Sequence, residues 1–404
     1  MRENCRVCGS ALRDVLHLGD FAPSDFVREQ AELQKVPLTL AECEGCALVQ
    51  LRHTLDRDVL YRNYWYFSGL NPSMVASLRD VVEGVQRRVE LEPGDTVVDI
   101  GANDGTLLTL YGENKLYKVG FDPAVNLAPS ALRACDRFIN DYFETSEVWY
   151  ELPRAKVITS IAMFYDLDEP RKFVERVHTV LHDQGIWVVQ MTDLVRMLRA
   201  NAFDNICHEH LCYYSLRNFS TLVEDCGLQV FDVEFNDVNG GSLRAYVGHE
   251  GARYVAPSVA AALEDEADYL GEDAVEQFSQ RVQEAKRKVL QFVEQERAHG
   301  KVFHALGAST KGNTLLQYFG LTDQQIACAA EVNPSKYGLR TVGSNVPIVS
   351  QEESLAAKPD YYLVLPWHFI DFFLRKHASY VFSGGALLTP LPEPTLHRYD
   401  ARHL

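Results

Sequence analysis

Long hydrophobic runs are missing from this chain. No stretch of its 404 residues approaches the ~18 consecutive apolar residues that a membrane-spanning helix needs. The opening residues, MRENCRVCGS, also lack the apolar core of a signal peptide. We therefore expect a cytoplasmic protein that has no membrane partner.

Positive charge is scarce as well. The chain has 39 Lys and Arg residues against 56 Asp and Glu residues, which gives a formal net charge of -17. A field of this sign repels phosphate backbones, so we expect no nucleic-acid partner. An anionic small molecule would need local basic groups or helix N-termini to offset the repulsion. The hydrophobic content of 47% is ample for packed cores.

The chain has nine cysteines, and an odd number in a reducing compartment argues against a disulfide framework. Four of them form two Cys-x-x-Cys pairs, Cys5 with Cys8 and Cys43 with Cys46. Two such pairs present four thiolates tetrahedrally, which suits Zn²⁺ and leaves no open coordination position. We expect a structural zinc ion. The alternatives are four free thiols or two redox pairs.

Strand and helix signals alternate from Thr96 onward, which predicts a doubly wound parallel sheet and an α/β fold. Residues 256–298 are polar and helical, and a second block of strands and helices follows them. At about 150 residues per domain, the length allows two to three domains. We predict a zinc-binding domain at 1–70, a central domain at 71–255, and a helical linker with a C-terminal domain at 256–404.

The segment VVDIGANDGTLL is typical of a strand, a glycine turn and a helix that together bind a cofactor. Gly101 and Gly105 allow a sharp turn and a close approach of backbone to ligand. A dinucleotide site would prefer G-x-G-x-x-G. Here Asp99 and Asp104 disfavour a pyrophosphate, and Asn103 adds a further polar group over the loop. These residues favour S-adenosylmethionine, which carries both an ammonium and a sulfonium.

Three later positions complete the predicted cofactor site. Asp122 follows a second strand, where a carboxylate can accept hydrogen bonds from both ribose hydroxyls. Asp141 could accept one from the adenine amino group. Ser160 ends the next strand and should border the methionine part. The alternative is a generic turn between strand and helix with acids placed by chance.

The segment NAFDNICHEHLCYYS packs ionisable and aromatic side chains densely: His208, Glu209, His210, Tyr213 and Tyr214. A metal site is one interpretation, but adjacent side chains point in different directions and the H-E-x-x-H zinc motif is absent. Acid–base chemistry is the second, because a carboxylate can orient a histidine and raise its basicity. A polar surface cluster is the third.

Two further segments carry candidate substrate contacts. The segment LYRNYWYFSGLNPSM at 60–74 is too aromatic for a solvated loop, so it either packs in a core or lines a pocket for a polar ring. In GASTKGNT, Ser309, Lys311 and Asn313 could meet an anionic nucleotide or phosphate. The alternative for the second segment is a plain turn with one exposed lysine.

With these motifs in this order, the whole chain resembles the sugar C-methyltransferases that make branched deoxysugars of the mycarose and tetronitrose type. The segments that carry the resemblance are CRVCGS with CEGC, YWYFSG, DIGANDG, CHEH, GASTKGNT, EVNPSKYG and LPWHF. It implies a zinc-binding domain, a central class I methyltransferase domain and a C-terminal Rossmann-like domain, with substrate between them. Some relatives have a histidine near Tyr165 and Asp166 and a tyrosine where Cys207 stands, so this chain departs from them there.

The resemblance also implies site roles. The histidine after Glu209, here His210, acts as the base, and a tyrosine in the aromatic segment positions the sugar, which points to Tyr66 with Tyr64 and Tyr214 nearby. His208 competes for the role of base. The expected substrate is a nucleotide-linked 4-keto-deoxysugar, dTDP-linked, whose keto group acidifies the C3 hydrogen. O- or N-methylation and an inactive scaffold are the competing functions. We expect a monomer or a homodimer.

Overall fold

The structure is a computed structural model that describes residues 1–29, 34–271 and 273–399. No helix in these ranges is both long enough and apolar enough to cross a membrane. The described residues build one main sheet in each of three units, for which we keep the predicted boundaries 1–70, 71–255 and 256–404 as names.

The N-terminal unit (1–70) is a small antiparallel sheet. Its first long strand buries alternate side chains such as Leu16 and Leu18, as expected for a strand with one covered face. The four cysteines of the predicted zinc site lie at one end of its strands. Its elements are Leu12–Phe21 (β1), Phe26–Val27 (β2), Val36–Cys43 (β3), Val49–Leu51 (β4) and Arg57–Tyr61 (α1).

The central unit (71–255) is a sheet with helices on both faces. Its core strand, TVVDI, is β-branched and buried at all five positions, as expected when both faces of a parallel sheet are covered. Its elements are Pro72–Gln86 (α2), Thr96–Ile100 (β5), Thr106–Thr109 (α3), Tyr117–Phe121 (β6), Ala128–Ala131 (α4), Arg137–Ile139 (β7), Ala155–Ile161 (β8), Pro170–Val180 (α5), Leu181–Thr192 (β9), Leu194–Arg199 (α6), Cys212–Tyr213 (β10), Leu216–Glu224 (α7), Leu228–Asn236 (β11) and Ser242–His249 (β12).

The strand order of this central sheet is β7-β6-β5-β8-β9-β12-β11. The strands from β5 to β9 pair in parallel, whereas β12 runs antiparallel to both β9 and β11. The order reverses beside β5, and ligands of open α/β sheets bind at such a point, beyond the carboxyl ends of the strands. The predicted doubly wound α/β fold is confirmed.

The C-terminal unit (256–404) begins with two helices and continues as a second sheet. Its elements are Pro257–Tyr269 (α8), Ala274–Ala298 (α9), Phe303–Leu306 (β13), Thr310–Phe319 (α10), Ile326–Glu331 (β14), Arg340–Thr341 (β15), Ile348–Ser350 (β16), Gln351–Ala356 (α11), Tyr361–Val364 (β17), Ile370–Lys376 (α12), Ala378–Phe382 (α13), Ala386–Thr389 (β18) and Thr395–His397 (β19). The strand order of this sheet is β16-β14-β13-β17-β18-β19. Within the described residues its strands pair in parallel, except that β18 and β19 pair antiparallel.

The three units are joined by strand pairing. Strand β10 of the central unit extends the N-terminal sheet by pairing with β4, and β15 of the C-terminal unit pairs with β2. The CHEH segment lies directly before β10. These pairings therefore place that segment where all three units meet.

Candidate active site

The four cysteines of the two Cys-x-x-Cys pairs form a compact sulfur cluster. Their Sγ atoms all lie within 4.8 Å of one another, and Cys5 Sγ is 3.7 Å from Cys46 Sγ. A tetrahedral zinc ion with Zn–S bonds of about 2.3 Å would hold its sulfurs roughly 3.8 Å apart. The backbone N–H groups of Gly45 and Cys46 each donate to Cys43 Sγ at 3.4 Å, which stabilises a thiolate. The cluster fits a structural zinc ion.

Both glycines of the turn after β5 have a positive φ and little room for a Cβ atom. Gly101 has a φ of +76°, and a Cβ there would lie 3.0 Å from Met163 Cγ. Gly105 has a φ of +82°, and a Cβ there would lie 2.4 Å from the Cβ of Ala134. The close approach at Gly105 is therefore to protein and not to a ligand, which corrects the predicted contact.

Asp122 is held in place by the turn itself. Its Oδ2 accepts a hydrogen bond from the N–H of Asn103, and its Oδ1 accepts one from the N–H of Ala124, both at 2.8 Å. Burial raises the pKa of this carboxyl group, while the two N–H donors oppose the shift. The carboxylate is thus oriented at the end of β6 and keeps lone pairs for further donors.

Asp99 lies beneath the same turn. Only 3% of the residue is exposed, and its Oδ1 accepts a 2.6 Å hydrogen bond from Thr159 Oγ1. Burial raises its pKa to about 7, partly offset by the Thr159 hydrogen bond. A carboxyl group in this position would gain from a nearby cation.

The side chains of Asn103 and Asp104, which were predicted to contact the cofactor, form hydrogen bonds with protein groups. The amide of Asn103 accepts from the N–H of Ser68 and donates to the carbonyl oxygen of Tyr66. Asp104 Oδ2 accepts from the N–H of Gly69 at 2.8 Å, and its Oδ1 accepts from Thr106. Both side chains hold the aromatic segment over the turn, which corrects their predicted cofactor contacts.

The two remaining predicted cofactor residues, Ser160 and Asp141, differ in burial. Ser160 is fully buried, and its Oγ accepts a 3.1 Å hydrogen bond from Trp187 Nε1. Its hydroxyl therefore faces the core and does not border the methionine part, which corrects that prediction. Asp141 is half-buried just after β7, an edge strand of the sheet, and its contact with the adenine stays a prediction.

His210 has the geometry of a proton acceptor. Its Nδ1 lies 2.8 Å from the carbonyl oxygen of Asn205, and its ring contacts that of Tyr165 with a centroid distance of 4.3 Å. A carbonyl oxygen only accepts, so we assign the proton to Nδ1, which leaves the Nε2 lone pair unprotonated. Burial, together with the Lys311 ammonium, lowers the pKa of the imidazole to about 3. The ring is therefore neutral.

His208 takes a structural position instead. It is buried, and its Nε2 lies 3.0 Å from the carbonyl oxygen of Val36 at the start of β3. Its imidazole joins the central unit to the N-terminal sheet. Because this contact occupies Nε2 of His208, the structure favours His210 as the candidate base, and the choice between the two histidines stays a prediction.

Glu209 points into the junction of the three units. It lines a small cavity together with Thr310 and Asn313. Burial raises the pKa of its carboxyl group to about 7, although hydrogen bonds from Cys207 and Thr310 and the Lys311 charge oppose that rise.

The tyrosines near this centre differ in their surroundings. Tyr61 donates its hydroxyl to the backbone oxygen of Glu209 at 2.9 Å, and Tyr64 lies beside the Tyr61 ring. Tyr66 is more exposed. Tyr214 is fully buried in the core, with its ring 5.3 Å from that of Phe164. Tyr214 therefore cannot contact a substrate, which corrects its predicted role.

The three candidate residues of the GASTKGNT segment have different contacts. Ser309 is the N-cap of α10, and its Oγ accepts from the N–H of Gly312 at 3.1 Å, so its first role is structural. Asn313 is buried and donates to Ser24 Oγ at 3.0 Å, which ties α10 to the N-terminal unit. Lys311 reaches into the central unit, with its Nζ 3.3 Å from the carbonyl oxygen of Asn239.

Comparison with known proteins agrees with this architecture. Three family models match in succession: a zinc binding domain at 5–61, a methyltransferase domain at 76–233 and a C-methyltransferase C-terminal domain at 237–392. C-methyltransferase NovU of Streptomyces niveus is 32% identical over 97% of this chain and 96% of its own length. The chain belongs to this C-methyltransferase family. It is an S-adenosylmethionine-dependent C-methyltransferase with a structural zinc site.

Solved structures resemble only part of this C-methyltransferase. Magnesium protoporphyrin IX methyltransferase of Synechocystis PCC 6803 with bound S-adenosylhomocysteine is 11% identical, covers 48% of this chain and 100% of its own, and has a TM-score of 0.38. The CcbJ methyltransferase of Streptomyces caelestis is 11% identical, covers 42% of this chain and 88% of its own, and has a TM-score of 0.35. The fold assignment rests instead on strand order and the family models.

The C-methyltransferase also has buried polar residues at the junction that sequence reasoning did not select. Asp204 Oδ2 accepts a 3.1 Å hydrogen bond from Trp367 Nε1, and His368 follows Trp367 in the LPWHF segment. Asp166 lies beyond the end of β8, and burial raises its pKa well above the usual range. The sequence contained a pattern that could have selected each of them. Asp204 lies in NAFDN, His368 lies in LPWHF, and Asp166 follows a strand at the ligand-binding edge of the sheet.

Proposed function

We propose that this C-methyltransferase transfers a methyl group to C3 of a nucleotide-linked 4-keto-deoxysugar, with His210 as the general base. The geometry of His210 supports this most directly. Its Nδ1–H is held by the Asn205 carbonyl, so the neutral ring presents Nε2 as a proton acceptor. Methylation of a carbon atom needs a base that removes a hydrogen from it. The neighbouring keto group makes that hydrogen acidic enough to be removed.

The step begins when His210 Nε2 takes the proton from C3. The C3–H electron pair becomes the C3–C4 double bond, and the former carbonyl pair moves to the C4 oxygen as an enolate. The enolate carbon would then bond to the methyl group of the bound cofactor, while the methyl–sulfur bond breaks and its electron pair stays on sulfur. This would restore the C4 ketone, and His210 would return its proton to solvent. Although the free imidazole is weakly basic, the negative charge that develops beside it raises its affinity for the proton.

The cofactor side of the proposal uses carboxylates on consecutive strands. S-adenosylmethionine supplies an electrophilic methyl group on a sulfonium when it is bound. Asp122 would accept hydrogen bonds from the ribose hydroxyls, Asp141 from the adenine amino group, and Asp99 would meet the ammonium. The positive φ of Gly101 allows the sharp turn that brings these carboxylates to one edge of the sheet. This donor set fits the cofactor's cationic and hydroxyl groups.

The substrate would lie between the aromatic segment and the C-terminal unit. Tyr64 and Tyr66 come from the segment that is tied over the cofactor turn, so they can contact a sugar ring beside the methyl donor. Glu209 borders the junction and would orient the substrate or the base. We propose a dTDP-linked sugar from the resemblance to branched-deoxysugar enzymes.

The experiment is a panel of dTDP-4-keto-deoxysugars incubated with the enzyme in deuterated water. With S-adenosylmethionine we expect methyl transfer to C3. With S-adenosylhomocysteine in its place we expect exchange of the C3 hydrogen, because enolisation precedes transfer. Methyl transfer to oxygen or nitrogen without exchange would support O- or N-methylation instead. Neither exchange nor transfer with any member of the panel would contradict the proposal.

A further inference from the structure

Lys311 occupies an electrostatically unfavourable position. It lies in the first turn of α10, where the unpaired N–H groups carry a partial positive charge that disfavours a cation. It is also half-buried, and burial lowers the pKa of its ammonium. Nearby negative charge would offset both costs.

The neighbours of Lys311 are the groups of the catalytic junction. Asp204, Cys207 and Glu209 favour its charge, and all three residues are buried. In turn, its charge opposes protonation of His210 and His368, and desolvation acts in the same direction on both rings. Thr310, which precedes Lys311 at the start of α10, lines one small cavity with Glu209. The first turn of α10, and Lys311 with it, is therefore part of the junction that holds the proposed base.

The hydrogen-bonding capacity of this ammonium is largely unused. An ammonium has three donor hydrogens, and among the described residues Lys311 has one acceptor, the Asn239 carbonyl oxygen, at a long 3.3 Å. Asp204 Oδ1, although buried, has no hydrogen-bond partner in the same described part of the chain. The cation is therefore near carboxylates without being consumed by an ion pair.

We propose that the Lys311 ammonium binds the C4 oxygen of the substrate and stabilises the enolate formed when His210 removes the C3 proton. This rests on the proposed function above. Lys311 keeps its own proton throughout, so it balances charge and does not act as an acid. The C-terminal unit would then supply a catalytic residue to the central unit.

The test compares Lys311→Met with Lys286→Met. Lys286 is a matched control, since it is a half-buried lysine of the same unit whose ammonium lies over the Tyr318 ring. Exchange of the C3 hydrogen of a dTDP-4-keto-deoxysugar is measured in deuterated water with S-adenosylhomocysteine bound. Loss of one oxyanion donor typically costs about 10²–10³-fold, so we expect a loss of that size in Lys311→Met. Lys286→Met should retain wild-type exchange.

Two further measurements separate an electrostatic role from a structural one. In Lys311→Met the pKa of the acidic limb of kcat/KM should rise, because a cation no longer faces His210. Asp204, Cys207, Glu209 and His368 remain around the site in both proteins. Lys311→Arg keeps the charge and should recover part of the exchange. If Lys311→Met does not fold, Lys311→Gln takes its place.

The outcomes distinguish this inference from the proposed function. If Lys311→Met exchanged the C3 hydrogen at the wild-type rate, the role of Lys311 would be overturned, and the proposed function would remain. An unchanged acidic limb would do the same. Absence of exchange in the wild-type enzyme would instead remove the proposed function, and this role with it.

Discussion

The carbonyl oxygen of Asn205 lies 2.8 Å from Nδ1 of His210, five residues further along the chain. This contact selects one tautomer of the imidazole and fixes the direction of Nε2. Tyr165 covers the ring from the end of β8. Backbone and side chain together thus hold a neutral histidine beside the junction of the three units.

His210→Ala should therefore lose most turnover while its affinity for S-adenosylhomocysteine stays near that of the wild type. General-base catalysis typically contributes about 10²–10⁴-fold, and a loss of this size is expected in both methyl transfer and C3 exchange. Glu209→Gln should cost less, because Glu209 does not take the proton. Rates are measured with a 4-keto sugar nucleotide.

His208→Ala serves as the comparison. It removes the hydrogen bond to Val36, so we expect a lower melting temperature and a nearly normal exchange rate per folded molecule. If His208→Ala abolished exchange while His210→Ala retained it, the assignment of the base would have to be reversed.

Asp122→Ala should weaken cofactor binding. A carboxylate that accepts two ribose hydroxyls should contribute on the order of 2–3 kcal/mol, counting hydrogen bonds to a charged group. The measurement is calorimetric titration with S-adenosylhomocysteine, and Glu113→Ala, an exposed acid in the turn before β6, is the control. An unchanged dissociation constant would place the ribose contact elsewhere.

Cofactor affinity should depend on pH through Asp99, whose pKa is raised by burial to about 7. The folded protein without cofactor prefers the protonated form, so Asp99 lowers the free energy of unfolding as the pH rises from the ordinary carboxyl range to about 7. Binding of an ammonium prefers the ionised form. We therefore expect S-adenosylhomocysteine to bind more tightly as the pH rises through about 7.

Asp99→Asn is the variant that isolates this effect. It cannot ionise, so the affinity gain between acidic and neutral pH should shrink in calorimetric titrations, and overall affinity should fall. A pH dependence that survives the substitution undiminished would assign the titration to another group, of which Asp122 is the first to test.

Purified protein should contain one zinc ion per chain, measured by elemental analysis. Cys46→Ser should lower both the zinc content and the melting temperature, because the ion would tie the segment before β1 to the turn between β3 and β4. Cys226→Ser, outside the cluster, should keep full zinc content. Metal-free protein with four freely titratable thiols would contradict the prediction.

Local patterns in the sequence were enough to predict the zinc cluster and the glycine turn after β5. Each Cys-x-x-Cys pair brings its sulfurs together within one short turn, and Gly101 marks a backbone conformation that few other residues adopt. Alternation of strands and helices likewise determined the central sheet, since parallel strands require crossovers of this kind. Each cysteine pair and the glycine turn depend on residues close together in the chain, whereas the approach of Cys5 to Cys46 is a tertiary contact.

The orientation of individual side chains was decided by tertiary packing. The CHEH segment offered two histidines, and the pairing of β10 with β4 and the acceptor at Val36 determined that His208 faces the N-terminal sheet. Ser160 and Tyr214 turned into the core because Trp187 and Phe164 lie there. Neighbours distant in sequence supply these contacts, so residue type and spacing alone could not distinguish a buried partner from a bound ligand.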